Sequence, residues 1–283
     1  MSAETGGRPP RNGLVRASIT TGWAVLGILV FLLLWKGLVV VLAINPAVLP
    51  PPEAVLRDGW AAIDALLLNS WVTIQEVVPG YLLAIVIGLA LSVAMTVSPR
   101  FSRIAYPVLV GSQAVPKVAI VPLLVVWMGF GKAPIITMVV IISFFPVVIS
   151  TVAGLRSVPA DLLMLGRSMG LKRIKMFFKI MFPYALGSIF AGLKLAMSLA
   201  MIGAVVGEFI GGQAGLGYYI LATSNAFQVS LTFAAIVVVV IISLLMFQLV
   251  VVAERLSLPA RRGRVGSEQS VPQARRHGAR AHT

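Results

Sequence analysis

An all-α membrane protein with about six transmembrane helices is predicted by three observations. The 283 residues are 59% hydrophobic, with a mean hydropathy of +0.98, which is more apolar surface than a soluble domain buries. The charged residues, 11% of the chain, fall between long apolar runs. The basic ones gather on alternate connections, as cytoplasmic loops require.

The first span is read over 21–43, longer than a signal-peptide core, with Trp23 and Trp35 suited to the two interfaces. It is taken as an uncleaved anchor behind a cytoplasmic tail of residues 1–20. An amphiphilic segment over 45–70 follows, opened by Pro46, Pro50, Pro51 and Pro52. The second span covers about 72–97, the third 104–128 and the fourth 133–154. A basic connection over 155–184 then leads to a fifth span at about 185–210, and a sixth runs over 231–253. The transmembrane domain thus occupies 21–257. Residues 258–283 read as a disordered basic cytoplasmic tail, low in apolar residues and rich in Arg, Ser, Gly and Gln.

Six spans place both termini on one side. Arg8, Arg11 and Arg16, Arg100 and Arg103, six basic residues of the long loop and seven of the tail make 18 of the 23 Lys and Arg on that face. The opposite face carries Glu53, Asp58, Asp64 and Glu208 against Arg57 and Lys132. By the positive-inside rule both termini and the long loop are cytoplasmic in a multi-pass cell-membrane protein. The net charge of +14 is read as this flanking pattern and an attraction to anionic lipid, with no nucleic-acid partner.

Composition narrows the chemistry. No cysteine is present, so no thiolate site or disulfide exists, and both histidines, His277 and His282, lie in the tail. No metal site, catalytic residue or bound cofactor is expected. No internal repeat supports a two-halved transporter in one chain.

The loop carries six basic residues and one acid, Asp161. It reads as two short helices with a break. Pro159 and Asp161 suit a first turn. Leu162, Leu165, Gly166 and Met169 share one face, and Gly170 stands where a left-handed cap is wanted. The second helix sets Leu171, Ile174, Phe177, Phe178 and Met181 against Lys172, Arg173, Lys175 and Lys179, and Pro183 is expected to end it. Two readings stay open from these residues alone: a docking surface, or an amphipathic helix on anionic lipid.

The loop resembles the cytoplasmic loop of binding-protein-dependent ABC importer permeases, whose pattern is E-A-A, three residues, Gly, nine residues, I-x-L-P. Here Gly170 precedes Ile180-Met181-Phe182-Pro183 at that distance. The triplet falls on Met164-Leu165-Gly166, so the acid is absent, and Phe182 replaces leucine. The runs LPPP (49–52), AVPKVAIVPLLVVWMGFGK (114–132), FFPVVISTVAGLRSVP (144–159) and GEFIGGQAGLGYYI (207–220) are similar to the nitrate, sulfonate, taurine and pyrimidine-precursor branch.

This resemblance implies an importer permease of type I architecture, paired as a dimer (a homodimer is expected here). Leu162, Leu165, Gly166, Met169 and Gly170 would then form the docking helix for a cytosolic ABC ATPase subunit. An external binding protein would deliver the solute. The chain lacks the G-x-x-x-x-G-K-[ST] phosphate loop, so ATP and Mg would belong to the partner.

Within the third span, Gln113 and Lys117 stand among Pro116 and Pro122. A charge at this depth faces a translocation path, or else it snorkels or pairs with Glu76 or Glu208. Glu208 is read as a contact for the binding protein or outer gate, or as a carboxylate fixing its own loop. Gly80, Gly88, Gly203, Gly207, Gly211 and Gly212 are assigned to helix packing. An ion-coupled secondary transporter is the rival reading, and it would want acids deeper in the spans than Glu76 and Glu208.

Overall fold

The computed structural model describes residues 12–257, and every described element is helical. The chain runs through α1 (Asn12–Val41), α2 (Pro52–Ala61), α3 (Ile63–Val97), α4 (Pro99–Ser112), a 3₁₀ turn (Lys117–Ile120), α5 (Val121–Met128), α6 (Lys132–Arg156), α7 (Ala160–Ser168), α8 (Arg173–Met176), a π turn (Phe177–Met181), α9 (Phe182–Gly211), α10 (Leu216–Asn225) and α11 (Val229–Ser257). The expected tail at 258–283 and residues 1–11 lie outside the described residues. α1 begins at Asn12, ahead of the expected start at residue 21.

Four uninterrupted helical stretches are long and apolar enough to cross a bilayer: α3, α6, Arg173–Gly211 and α11. The expected third span is not one helix. α4 and the stretch Lys117–Met128 meet at an 89° bend, together the length of a broken span. Pro116 explains the break: it lacks the N–H of the helical ladder and adopts an extended backbone, whereas Pro122 sits in the first turn of α5, where a missing N–H costs nothing. α1, with the apolar stretch Leu26–Val41, takes the position of the expected first span. Within the 45–70 segment, α2 is short and α3 begins already at Ile63.

α6 is the central element. More than half of its apolar window is buried (56%), against 17% in α11, which turns most of its surface outward. Small residues let its neighbours approach. A methyl group built on Gly80 or Gly88 of α3 would fall 2.6 or 2.9 Å from Val139 or Val147 of α6. On the other side, Gly192 of α9 faces Ser150, and Gly154 of α6 faces Ser188. Where van der Waals packing rather than water drives association, such surfaces bring backbones together. Gly203, Gly207 and Gly211 pack against Val139, Ile135 and Val125, whereas Gly212 faces only its own turn at Glu208.

Two shorter connections brace this core. Ser92 Oγ donates to the Val148 carbonyl and Tyr81 Oη to that of Leu193, joining α3 to α6 and α9. Val121 and Leu124 of α5 pack on Met138 and Ile142 of α6. The α5–α6 turn uses Gly129 (φ +79°) and Gly131 (φ +115°), and the Gly131 amide donates to the Gly211 carbonyl at the end of α9. α1 stands at the periphery, touching α11 where Trp35 meets Phe233 at 5.8 Å between ring centroids.

Candidate translocation and coupling sites

The loop between α6 and α9 is ordered by its own caps. Pro159 precedes α7 with an extended backbone, and Asp161 occupies the first turn. At the other end Gly170 takes φ +70°. Its amide donates to the Arg167 carbonyl at 2.9 Å, and the Leu171 amide to that of Gly166 at 3.0 Å. This paired closure is a Schellman motif, in which only glycine takes the left-handed position without steric cost.

The motif reorients one expected docking residue. Gly166 faces inward, buried beneath Ile180, Met176 and Leu171, and a methyl group there would fall 2.8 Å from Ile180. Leu162, Leu165 and Met169 point outward, at 38, 58 and 71% exposure. Met164, at the position of the missing acid, joins them at 61%. Gly166 is therefore the residue that lets α7 lie close on its own scaffold, and the open apolar surface belongs to its neighbours.

The second helix differs from expectation. Pro183 does not end it, and the helix runs from Arg173 through to Gly211. Pro183 removes the N–H that would bond the Lys179 carbonyl, and its ring would crowd that carbonyl. The π turn over Phe177–Met181 opens the ladder there and lets the proline pass. The face turned inward carries Met176 and Phe177, while Ile174 and Phe178 are exposed.

At the 89° bend the two expected path residues meet. Lys117 Nζ donates to Gln113 Oε1 at 2.7 Å, and both side chains are half-buried. Gln113 Nε2 is buried without an acceptor among the described residues. Neither Glu76 nor Glu208 pairs with Lys117. They lie together elsewhere.

Glu208 is 1% exposed, near the C-terminal end of α9. Thr73 Oγ1 donates to its Oε1 at 2.7 Å, and the Gly217 amide donates to its Oε2. Thr73 Oγ1 accepts in turn from the Leu216 amide at 2.8 Å, and Asn69 Oδ1 accepts from the Gly215 amide at 2.9 Å. Glu76, also 1% exposed, lies beside Glu208, with Oε2 lacking a donor among the described residues. Gly215 (φ +111°) passes so close that a methyl group would overlap the carboxyl. This network ties the α9–α10 loop to α3. It leaves Glu208 no surface to offer an external protein.

Asn69, Thr73 and Glu76 were not singled out as a group in the sequence, although their spacing of four and three places them on one face of α3. Glu254 was also missed: it pairs with Lys194 at 2.9 Å, joining α11 to α9. Among the described residues no three His, Cys, Asp or Glu side chains gather as a metal site.

A family model described as "Binding-protein-dependent transport system inner membrane component" matches residues 80–258. The chain belongs to this family. It is 36% identical over 218 residues to a probable ABC transporter permease protein of Haemophilus influenzae, covering 77% of this chain and 89% of that one. It is 32% identical over 219 residues to the formylaminopyrimidine transport permease protein ThiX of Halalkalibacterium halodurans, covering 77% and 88%. Its fold matches a chain of the MetNI methionine ABC transporter, solved in inward-facing conformations, with a TM-score of 0.62 at 17% identity. That match covers 70% of this chain and 98% of the other. The protein is a multi-pass ABC importer permease subunit, not an ATPase.

Proposed function

We propose that this permease imports a small organic solute or oxyanion, with energy from ATP and Mg bound to a separate cytosolic ATPase subunit. The observation that carries this reading is α7: a short helix, closed at its C-terminus by the Gly170 turn, that exposes Leu162, Met164, Leu165 and Met169 beside a basic loop. A nine-residue helix is marginal alone, and that turn and the buried Gly166 hold it ready for a groove. An external binding protein delivers the solute, two copies of the chain form the pathway, lipid surrounds the apolar faces, and both termini face the cytoplasm. The chain itself holds no cofactor.

Within this reading the Gln113–Lys117 pair marks the path, because a cation at a helix break in the membrane interior attracts an anion. That favours an oxyanion or sulfonate-like solute. The ThiX relative favours a pyrimidine precursor as the first neutral solute to test. Glu208 serves the outer gate from within, by fixing the α9–α10 loop.

Proteoliposomes holding the permease with its ATPase, supplied with binding protein and labelled taurine, nitrate or formylaminopyrimidine, test the proposal. Uptake of one of these that requires both ATP and binding protein is expected. Uptake driven by a proton or sodium gradient without ATP would establish the rival ion-coupled transporter.

A further inference from the structure

We propose that a pocket between α4 and the end of α6 holds the phosphodiester of an anionic phospholipid, in the leaflet on the α7 side. The pocket is a cavity of about 360 Å³ lined by Pro99, Ser102, Arg103, Tyr106, Pro107 and Arg156. Two guanidinium groups therefore share one small space. Among the described residues neither has an acidic partner: the ion pairs there are Lys36–Glu53, Arg57–Asp58 and Lys194–Glu254. Among the described residues Arg156 spends one N–H on Ser102 Oγ and keeps four, and Arg103 keeps all five. Ser102 is 5% exposed, and its hydroxyl proton stays free to donate while its oxygen accepts. The Tyr106 phenol adds another donor. This set offers donors and positive charge with no competing carboxylate, which matches a phosphate with its several acceptor oxygens.

Position selects the source. Val97 ends α3 and Arg156 ends α6, so the pocket lies where two spans leave the bilayer. On the pocket's own face of α4, Val110 follows Arg103 and Tyr106 one turn further into the span, at 47% exposure. The adjoining face of α4, through Leu109 and Ala105, packs on Met95, Val148 and Val152. A free phosphate has no use for an apolar side chain beside the pocket, whereas an acyl chain attached to the headgroup would run along it. Basic pockets between helices at this level take anionic headgroups by this chemistry. Arg156 also stands four residues before α7, so an occupied pocket braces α4 against the root of that loop.

The test uses the full chain in nanodiscs of phosphatidylcholine with a small fraction of photoactivatable phosphatidylglycerol, followed by mass spectrometry of the labelled peptide. Label is expected on α4, falling about fivefold for each of Arg103→Gln and Arg156→Gln, the effect of one basic residue near a headgroup. Arg103→Gln breaks no side-chain hydrogen bond among the described residues, so it keeps the test open if Arg156→Gln fails to assemble. Lys175→Gln removes the same charge elsewhere on the loop side and is expected to leave α4 labelling intact. Unchanged labelling in Arg103→Gln, or equal loss in Lys175→Gln, would overturn the proposal. So would protection of α4 by inorganic phosphate in detergent with no phosphatidylglycerol retained, which would assign the pocket to a free oxyanion.

Discussion

Glu208 shows how one buried side chain can organise a loop. Its two oxygens accept from Thr73 and from the Gly217 amide, and Thr73 relays to the Leu216 amide. Removing it orphans donors that no water reaches, at about 1–3 kcal/mol each. Glu208→Ala is expected to lower the thermal midpoint of the purified permease sharply. Thr73→Ser, which keeps the hydroxyl, should cost far less. Equal midpoints for Glu208→Ala and the parent would mean that the network does not hold the loop. Lys117→Met should leave expression and assembly intact and reduce uptake by about tenfold, the effect of losing ~1.4 kcal/mol of interaction with the passing solute. Wild-type uptake by that variant would make the Gln113–Lys117 pair purely structural. Lys117 stands out in the sequence because a charge and two prolines interrupt an apolar run. Its partner does not: Gln113 was chosen over either glutamate by the bend, which no local pattern specifies. The Thr73–Glu208 contact spans 135 positions, so sequence proximity could not reveal it.

Helix packing depends on where small residues face. Gly192 meets Ser150 so closely that even a methyl group would stand 2.5 Å from its Cβ, whereas Gly187, five residues earlier on α9, has open space around it. Gly192→Leu should therefore separate α6 from α9 and lose the folded, monodisperse protein on size exclusion. Gly187→Leu should elute like the parent. If both variants behave alike, close approach of α6 and α9 is not what stabilises the bundle. The packing role of Gly80 and Gly88 was readable from their place in an apolar span, but Gly154 and Gly192 needed the pairing of α6 with α9. Pro183 misled for a physical reason. A proline after an amphipathic stretch ordinarily stops a helix, and only the π turn at Phe177–Met181 lets this one continue. Gly170 was readable from its place after a short apolar face, because few other residues take φ +70° at a cap.

At the scale of the molecule, hydropathy and alternating basic connections gave the bundle, and the resemblance of the loop gave the class of transporter. Hydropathy counts apolar residues and is blind to direction: Pro116 and Pro122 mark a broken ladder in the third span, but not the 89° bend it makes. In the function proposed above, ATP binding in a separate subunit moves these helices through contacts on one small surface, the outward side of α7. That surface is testable with little background, because the chain has no cysteine. The most direct measurement introduces single cysteines at Leu165, Met169 and, as a buried control, Gly166, and treats the assembled complex with a short thiol cross-linker against cysteines in the ATPase subunit. Leu165→Cys and Met169→Cys are expected to cross-link and Gly166→Cys is not. Absence of any cross-link from Leu165 and Met169 in a complex that still hydrolyses ATP would place the coupling surface elsewhere and contradict the account.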